Sequence, residues 1–239
     1  MIFFTLLRTG KETAYIRIRK DDQMFEKWKK RKQEKEFELE DKAYLVKDKY
    51  IESVLGKEHD MVNHSIIPFS AGGAFDLYYY PNYCDGTAMA TKELVNHKFN
   101  SPGNDVYDAY ELVIVTRNKL QSLMGESEPE YDDGPIVEIL NMIGQYSSMA
   151  KLNPYETIEF PGDFGVESVR GKCLIIDAIS EPLCNEETNN KKFGLMLIME
   201  IHRDEMEFAM QQRGRELIEI LKQKGIYPFS GINRPSVLG

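Results

Sequence analysis

The spacing of apolar and polar residues predicts two elements near the start of this 239-residue chain. Ile2–Leu7 is a dense apolar run, and Ala14–Arg19 alternates between apolar and polar side chains. Gly10 lies between the two runs, and strand-like runs on either side of a glycine indicate a β-hairpin. From Asp21 onward the chain is highly charged and begins with aspartates in the N-cap position, which predicts a basic helix.

A helical period of apolar residues recurs in four later segments. In chain order these are Asp41–Leu55, Pro135–Ala150, Asp204–Gln212 and Arg215–Lys224. Gly56 and Gly225 follow two of the segments in the position of a C-cap glycine. The segment from Pro135 has the broadest apolar stripe, and we expect its Ile139, Leu140 and Ile143 to pack on a sheet.

Six short segments rich in β-branched and aromatic residues are predicted to be strands. They are Ser65–Phe69, Phe75–Tyr80, Thr87–Thr91, Tyr110–Thr116, Lys172–Ala178 and Phe193–Ile201. The strands occur in groups with helices between the groups, and strict β-α-β alternation is absent. The fold class is therefore α+β, with a central, mostly antiparallel or mixed sheet flanked by helices and preceded by the hairpin and the charged helix.

The net charge of −9 and pI of about 5.1 disfavour nucleic acids and anionic membranes as partners, because both reward clustered Lys and Arg. The charge is uneven: residues 1–60 have 15 basic and 13 acidic groups, whereas residues 61–239 have 15 and 26, a net of −11. Three cysteines without a CxxC pair, and the lack of a signal-peptide core or a long apolar run, predict a cytoplasmic protein.

A search for catalytic motifs favours a protein without enzymatic activity, cofactor or metal. His59 and His64 are the closest approach to a metal cluster, but a zinc site needs more ligands than these two. There is also no Gly-x-Ser-x-Gly motif and no recognisable Cys/His pair. An alternative remains open, in which a hydrolase or small-ligand pocket lies near His59, His64 and Tyr78–Tyr80.

The most distinctive polar segment is Gly125–Gly134, which has five acidic residues between two glycines. It is either a solvated loop whose aspartates cap the following helix, or a docking loop for a basic partner surface. The candidate protein-binding residues are Glu126, Glu128, Glu130, Tyr131, Asp132 and Asp133.

From about Leu45 onward, the ordered motifs of the chain resemble those of the suppressor-of-fused-like family. The segments that carry the resemblance are Asp76–Pro81, Thr87–Leu94, Tyr110–Ile114, Val137–Tyr146, Pro161–Asp163, Ile201–Ala209, Leu217–Gly225, Tyr227–Pro228 and Arg234–Val237. The hairpin and basic helix are not part of it, so we expect an extension at 1–40 and a suppressor-of-fused-like α+β domain at 41–239.

The resemblance implies a non-enzymatic protein that binds another protein. Eukaryotic members of the family hold a transcription factor, whereas bacterial members are often encoded beside toxins and look like immunity proteins or antitoxins. The expected partner is therefore a protein, with a basic toxin as the specific hypothesis, because an acidic body suits a nuclease that grips phosphate through basic residues.

Overall fold

The computed structural model describes most of the chain. The described residues are 6–96, 98–99, 102–123, 125–128, 135–162 and 165–239, with side chains from residue 27 onward except at residue 70. The chain divides into two units, Met1–Lys42 and Ala43–Gly239, and the sheet and its core belong to the second.

The N-terminal segment is helical, so the predicted hairpin is wrong in its described part. Helix α1 spans Leu6–Leu55 and includes Ala14–Arg19, which we expected to be a strand. No proline occurs in this stretch, and Gly10 alone lowers helix stability by only about 1 kcal/mol, which does not stop a long helix. The predicted end of the helix is confirmed, because Gly56 has φ +87° and donates its N–H to the carbonyl of Glu52 at 2.9 Å.

Within the described residues, seven strands form one open, mixed sheet, which confirms the α+β class. The strands are β1 (Val62–Asn63), β2 (Leu77–Tyr80), β3 (Thr87–Ala90), β4 (Ala109–Thr116), β5 (Thr157–Glu159), β6 (Cys173–Ala178) and β7 (Phe193–Ile201). Their order is β1-β2-β3-β4-β7-β6-β5. β4 and β7 run parallel, and the other described pairs are antiparallel.

The predicted and observed strands differ in three places. Ser65–Phe69 is not a strand: the short strand β1 precedes it and a 3-10 turn, Phe69–Ala71, begins at its end. Pro68 explains the difference, since a proline cannot donate to a strand ladder. β1 and β5 were not predicted at all, because two or three residues are too few to establish a two-residue period.

Helices cover both faces of the sheet. They are α2 (Leu120–Leu123), α3 (Ile136–Ser147), α4 (Arg203–Phe208) and α5 (Gly214–Gln223), and α4 and α5 are separated by a kink at Gln211 and Gln212, whose backbone is not helical. One core cluster joins α3 to the sheet through the fully buried Ile139, Leu140 and Ile143, as predicted. The other cluster joins the opposite face to α4, α5 and the C-terminal end of α1. A Cβ at Gly144 would overlap the ring of Phe75, so this glycine allows close packing of α3.

Candidate protein-binding surface

The predicted acidic loop lies partly within the described chain. Glu126 and Glu128 are exposed, and the N–H of Glu126 donates to the carbonyl of Gln121 at 2.9 Å. The Ser122 hydroxyl lies 2.9 Å from that of Ser127 and donates to the carbonyl of Glu128 at 3.3 Å. These bonds hold the first half of the loop against α2.

The rest of the acidic loop lies outside the described residues. This applies to Glu130, Tyr131, Asp132 and Asp133, and with them to the predicted capping by the two aspartates. The N-cap position of α3 is occupied by Pro135, which provides no side-chain cap. The loop therefore stays a predicted binding site, with two of its acids in exposed positions.

A second candidate surface is a groove between α3 and β5. Its cavity volume is about 470 Å³, which lies in the range of ligand pockets. The residues that define it are Met142, Ile143, Tyr146, Met149, Ile158 and Phe160. The sequence analysis did not identify this groove, since half of it comes from the strand that was missed.

The wall of the groove exposes large apolar side chains. Met149 is 80% exposed and Tyr146 is 44% exposed, whereas Ile143 and Phe160 form a buried floor. Clustered apolar exposure of this kind marks interaction surfaces, and methionine adapts its shape to different partners. The groove is therefore suited to bind apolar side chains.

The edge of the sheet forms the other side of this groove. β5 is the last strand in the sheet order. The N–H of Phe160 donates to the backbone carbonyl of Lys172, and the N–H of Ile176 donates to the backbone carbonyl of Glu156, each at 3.0 Å. Because the hydrogen-bonding direction alternates along a strand, the even-numbered residues of this segment face β6. The backbone groups of the odd-numbered residues of β5 therefore face outward.

Further exposed apolar residues lie in the loop before β2. Ile66 is fully exposed and Ile67 is 57% exposed. This loop is bonded to α3, since Asn141 accepts the N–H of Phe75 at 2.7 Å and Gln145 donates to the carbonyl of Gly73 at 3.5 Å. Exposed apolar side chains therefore lie both in the groove beside α3 and in the loop that is hydrogen-bonded to α3.

The histidines and tyrosines of the alternative pocket have separate partners. The Nδ1 atom of His59 accepts the N–H of Met61 at 3.1 Å, and that of His64 lies 2.7 Å from Asp76. Tyr80 is fully buried and donates to Glu58 at 2.8 Å. Burial, reinforced by the adjacent Glu58 carboxylate, raises the pKa of Tyr80, so its hydroxyl remains a proton donor.

Motifs that carry the family resemblance meet in a buried charge network, which the sequence analysis missed. The ammonium of Lys47 donates to the carbonyls of Lys92 (2.5 Å) and Val95 (2.6 Å) and pairs with Glu111 at 3.3 Å. Glu111 is completely buried and also accepts the hydroxyl of Thr91 at 2.7 Å. This network joins the end of α1 to β4 and to the segment after β3.

Lys92 extends the network with its own side chain. Its buried ammonium contacts the carboxylates of Asp48 and Glu58 and lies 4.4 Å from the ring centre of Tyr78. Burial by itself would lower the pKa of Lys92, but the two carboxylates outweigh it and raise that pKa. These buried pairs hold the C-terminal end of α1, from Ala43 onward, on the sheet rather than offering groups to a ligand.

Two kinds of site are absent from the described residues. No group of three or more His, Cys, Asp or Glu side chains in them could hold a metal ion. None of their helices combines the length and apolar character needed to cross a bilayer. The cysteines Cys84, Cys173 and Cys184 are free thiols.

Comparison with known proteins relates this fold to solved structures. No protein-family model and no curated protein matches the sequence. The fold is similar to that of a chain in the Sufu–Fu complex crystal structure, with a TM-score of 0.55 and 16% identity over 79% of this chain and 88% of that one. It is also similar to Drosophila Suppressor of Fused, with a TM-score of 0.54 and 17% identity over 79% of this chain.

This chain spans 49% of the length of the Drosophila protein. At sequence identities of 16% and 17%, these comparisons establish similarity of fold alone. The motifs quoted from the sequence implied that fold, and the comparison confirms it. The chain therefore has a Suppressor-of-Fused-like fold.

Proposed function

We propose that this chain is a non-enzymatic protein-binding protein, and specifically an immunity protein or antitoxin that neutralises a toxin by direct binding. The observation that carries the proposal is the exposed apolar wall of the groove beside α3. Met149 and Tyr146 remain accessible there above a buried floor, beside β5, the last strand of the described sheet. Covering these side chains with a partner removes apolar surface from water, which stabilises a complex.

The charge of the chain supports a basic partner. Residues 61–239 have a net charge of −11, and Glu126 and Glu128 are exposed. Nuclease toxins need basic surfaces to hold phosphate, and complementary charge speeds the encounter of two proteins. An acidic inhibitor of such a toxin would therefore associate rapidly and compete with its nucleic acid substrate.

The fold comparison is consistent with this role. One similar structure is a complex of Sufu with Fu, so a fold of this kind holds a protein partner in that case. For this chain the partner is proposed to be a toxin encoded beside it. The cytoplasm is the proposed location, since a nuclease toxin acts where nucleic acid is present.

Co-expression tests this function. The product of the reading frame beside the gene for this chain is expressed alone and together with this chain in one bacterial host, and growth is measured. We expect the neighbouring product alone to stop growth, and co-expression to restore it through a complex that gel filtration detects. A harmless neighbour, or rescue without any complex, would contradict the proposal.

A matched pair of variants locates the contact. Met149→Glu places a carboxylate on the apolar wall and is expected to abolish rescue, because burying an unpaired charge is costly. Met210→Glu is the control: Met210 is 67% exposed and lies between α4 and α5, on the opposite face of the sheet. Equal rescue by both variants would exclude the groove as the toxin-binding site.

A further inference from the structure

Residues 27–41 of α1 form an exposed helical segment whose charges are divided between two halves. Residues 27–33 include five basic residues and no acid, whereas residues 34–41 include five acidic residues and one lysine. All of these side chains are exposed, among them the large apolar Trp28, Phe37 and Leu39. A helix that is exposed on every side depends for its stability on its own side-chain pairs or on a partner.

The side-chain pairs within this segment do not supply that stability. Side chains four residues apart are neighbours on a helix, and like charges at this spacing destabilise it. Like-charged neighbours occur within each half, namely Lys27 with Arg31, Arg31 with Lys35, Glu34 with Glu38, and Glu36 with Glu40. Opposite charges meet at this spacing where the two halves join, as in Lys32 and Glu36. The segment therefore favours a partner with the complementary order of charges.

A second copy of the segment has this complementary order when it runs in the opposite direction. The basic half of one helix then lies beside the acidic half of the other, whereas a parallel arrangement would place like charges together. We propose that this chain forms a homodimer in which residues 27–41 of two copies pair as antiparallel helices. The proposal goes beyond the toxin-binding role and does not depend on it.

The apolar residues define the register of the two helices. At about 100° per residue, Trp28 and Leu39 lie within about 20° of each other around α1, whereas Phe37 lies on the opposite face. An antiparallel alignment that places Trp28 against Leu39 of the second copy forms this contact twice. The centre of that alignment falls between Gln33 and Glu34, which is where the charge of the segment changes sign. Charge and apolar pattern thus select the same register.

The charges beside the apolar contacts are complementary in this register. In an antiparallel pair of identical helices, each flank of the contact meets the same flank of the other copy. One flank has Lys29, Lys32, Glu36 and Glu40, and the other has Lys27, Arg31, Glu34 and Glu38. On both flanks, the basic residues of one copy therefore face the acidic residues of the other. Lys35 is the exception, because it faces Lys32 of the second copy near the centre, and this repulsion limits the affinity.

Sedimentation equilibrium of the full chain tests for the dimer. The paired segment is about 22 Å long, which makes a small interface and a weak complex. We expect a Kd on the order of 10–100 μM at low salt, and at least about threefold weaker association at about 500 mM salt, because exposed charges are screened. A protein that stays monomeric to about 500 μM, or a dimer that salt does not weaken, would overturn the inference.

Charge reversal on one flank tests the complementarity. The first variant combines Lys29→Glu with Lys32→Glu, which makes this flank acidic throughout, and the second combines Glu36→Lys with Glu40→Lys, which makes it basic throughout. We expect each variant alone to dimerise at least about tenfold more weakly than wild type, and an equimolar mixture to form a heterodimer. Both variants keep a negative net charge, so overall charge does not attract one to the other. A mixture that stays monomeric would contradict the pairing.

Trp28 reports the direction of the two helices, because it is the single tryptophan of the chain. Its emission should shift to shorter wavelength as the dimer forms. Leu39 lies about 16 Å along α1 from Trp28 of its own copy, beyond contact distance. Leu39→Ala is therefore expected to reduce the shift and weaken the dimer at least about threefold, whereas Phe37→Ala leaves both within about twofold. Equal effects of the two variants would exclude the antiparallel register.

A dimer formed through the groove beside α3 is the competing outcome. Met149→Glu places a charge on the apolar wall of the groove, and we expect this variant to dimerise within about twofold of wild type. Sedimentation at low salt measures the comparison. Loss of the dimer in Met149→Glu, together with unchanged association of the two charge-reversed variants, would assign self-association to the groove and overturn the inference.

Discussion

At the scale of single residues, Glu205 is the most heavily bonded buried carboxylate near the C-terminus. Its carboxylate is completely buried and accepts hydrogen bonds from both terminal nitrogens of Arg234, at 2.6 and 2.7 Å. It also accepts the N–H groups of Val237 and His202, each at 2.9 Å. One side chain thus fastens the last residues of the chain to the start of α4.

Glu205→Gln is expected to lower the free energy of unfolding by about 3 kcal/mol, because it leaves Arg234 largely buried without its counter-charge. Urea denaturation measures the effect. The control is Glu216→Gln, which breaks the exposed pair with Arg213 and is expected to leave stability within experimental error. Equal stability of both variants would mean that the hydrogen bonds of Glu205 to Arg234 and Val237 contribute nothing to the free energy of unfolding.

The contribution of Glu205 to the free energy of unfolding should also depend on pH. Burial by itself would raise the pKa of Glu205, but the bonds from Arg234, Val237 and His202 outweigh it and hold that pKa below 4.5. A carboxylate with a lowered pKa stabilises the fold above its unfolded pKa, and this stabilisation is lost as the pH falls through the folded value. The stability difference between wild type and Glu205→Gln should therefore be constant from about pH 7 to 5 and shrink below about pH 4. A stability difference that stays constant down to pH 2 would contradict the assignment of this pH dependence to Glu205.

At the scale of elements, α3 is the helix that forms one wall of the groove and covers one face of the sheet. Leu140→Ala removes a fully buried side chain and is expected to lower the free energy of unfolding by about 2–5 kcal/mol. Val137→Ala, at a position 37% exposed on the same helix, should change it by less than about 1 kcal/mol. Denaturation curves of the two variants give the comparison, and similar values would contradict the observed packing of α3.

The elements that the sequence predicted well are those with many buried residues. β7 was predicted with its observed bounds, Phe193–Ile201, and the stripe on α3 faces the sheet as expected. The hairpin was wrong because alternation over Ala14–Arg19 was given more weight than the helix-forming residues around it.

The groove could not be predicted from the sequence, for a different reason. Its wall joins Tyr146, near the end of α3, to Ile158 of β5, and neither local spacing nor composition brings them together. β5 lies between Pro154 and Pro161, and so short an element has no measurable period. The acidic loop, by contrast, was evident from composition alone.

At the scale of the whole molecule, the acidic loop is expected to act on the rate of binding. Replacing Glu126, Glu128 and Glu130 with Gln should slow association with the proposed toxin partner at least about threefold at low salt, because charges at an interface rim steer the encounter. The deficit should shrink as salt rises, since ions screen charges beyond about 8–10 Å. Stopped-flow mixing measures both effects.

The control replaces three acids elsewhere, Glu181, Glu186 and Glu187, which are exposed in the segment before β7. It changes the net charge equally. A matching loss of rate in this control would show that overall charge, rather than the loop, attracts the partner. Asp132 and Asp133 are left unchanged in both variants, because their predicted role in capping α3 would confuse the result.

The pairing of Lys47 with Glu111 has a consequence for how this chain has diverged. Both side chains are buried and also hold the backbone after β3. Losing either partner leaves the other charge unpaired in the interior, which costs about 3–5 kcal/mol, a large part of the roughly 5–15 kcal/mol by which a folded protein is typically stable. Replacement by neutral residues must therefore occur at both positions nearly at once. Among homologues, we expect these two positions to retain both charges or neither, and sequences with a single charge to be rare.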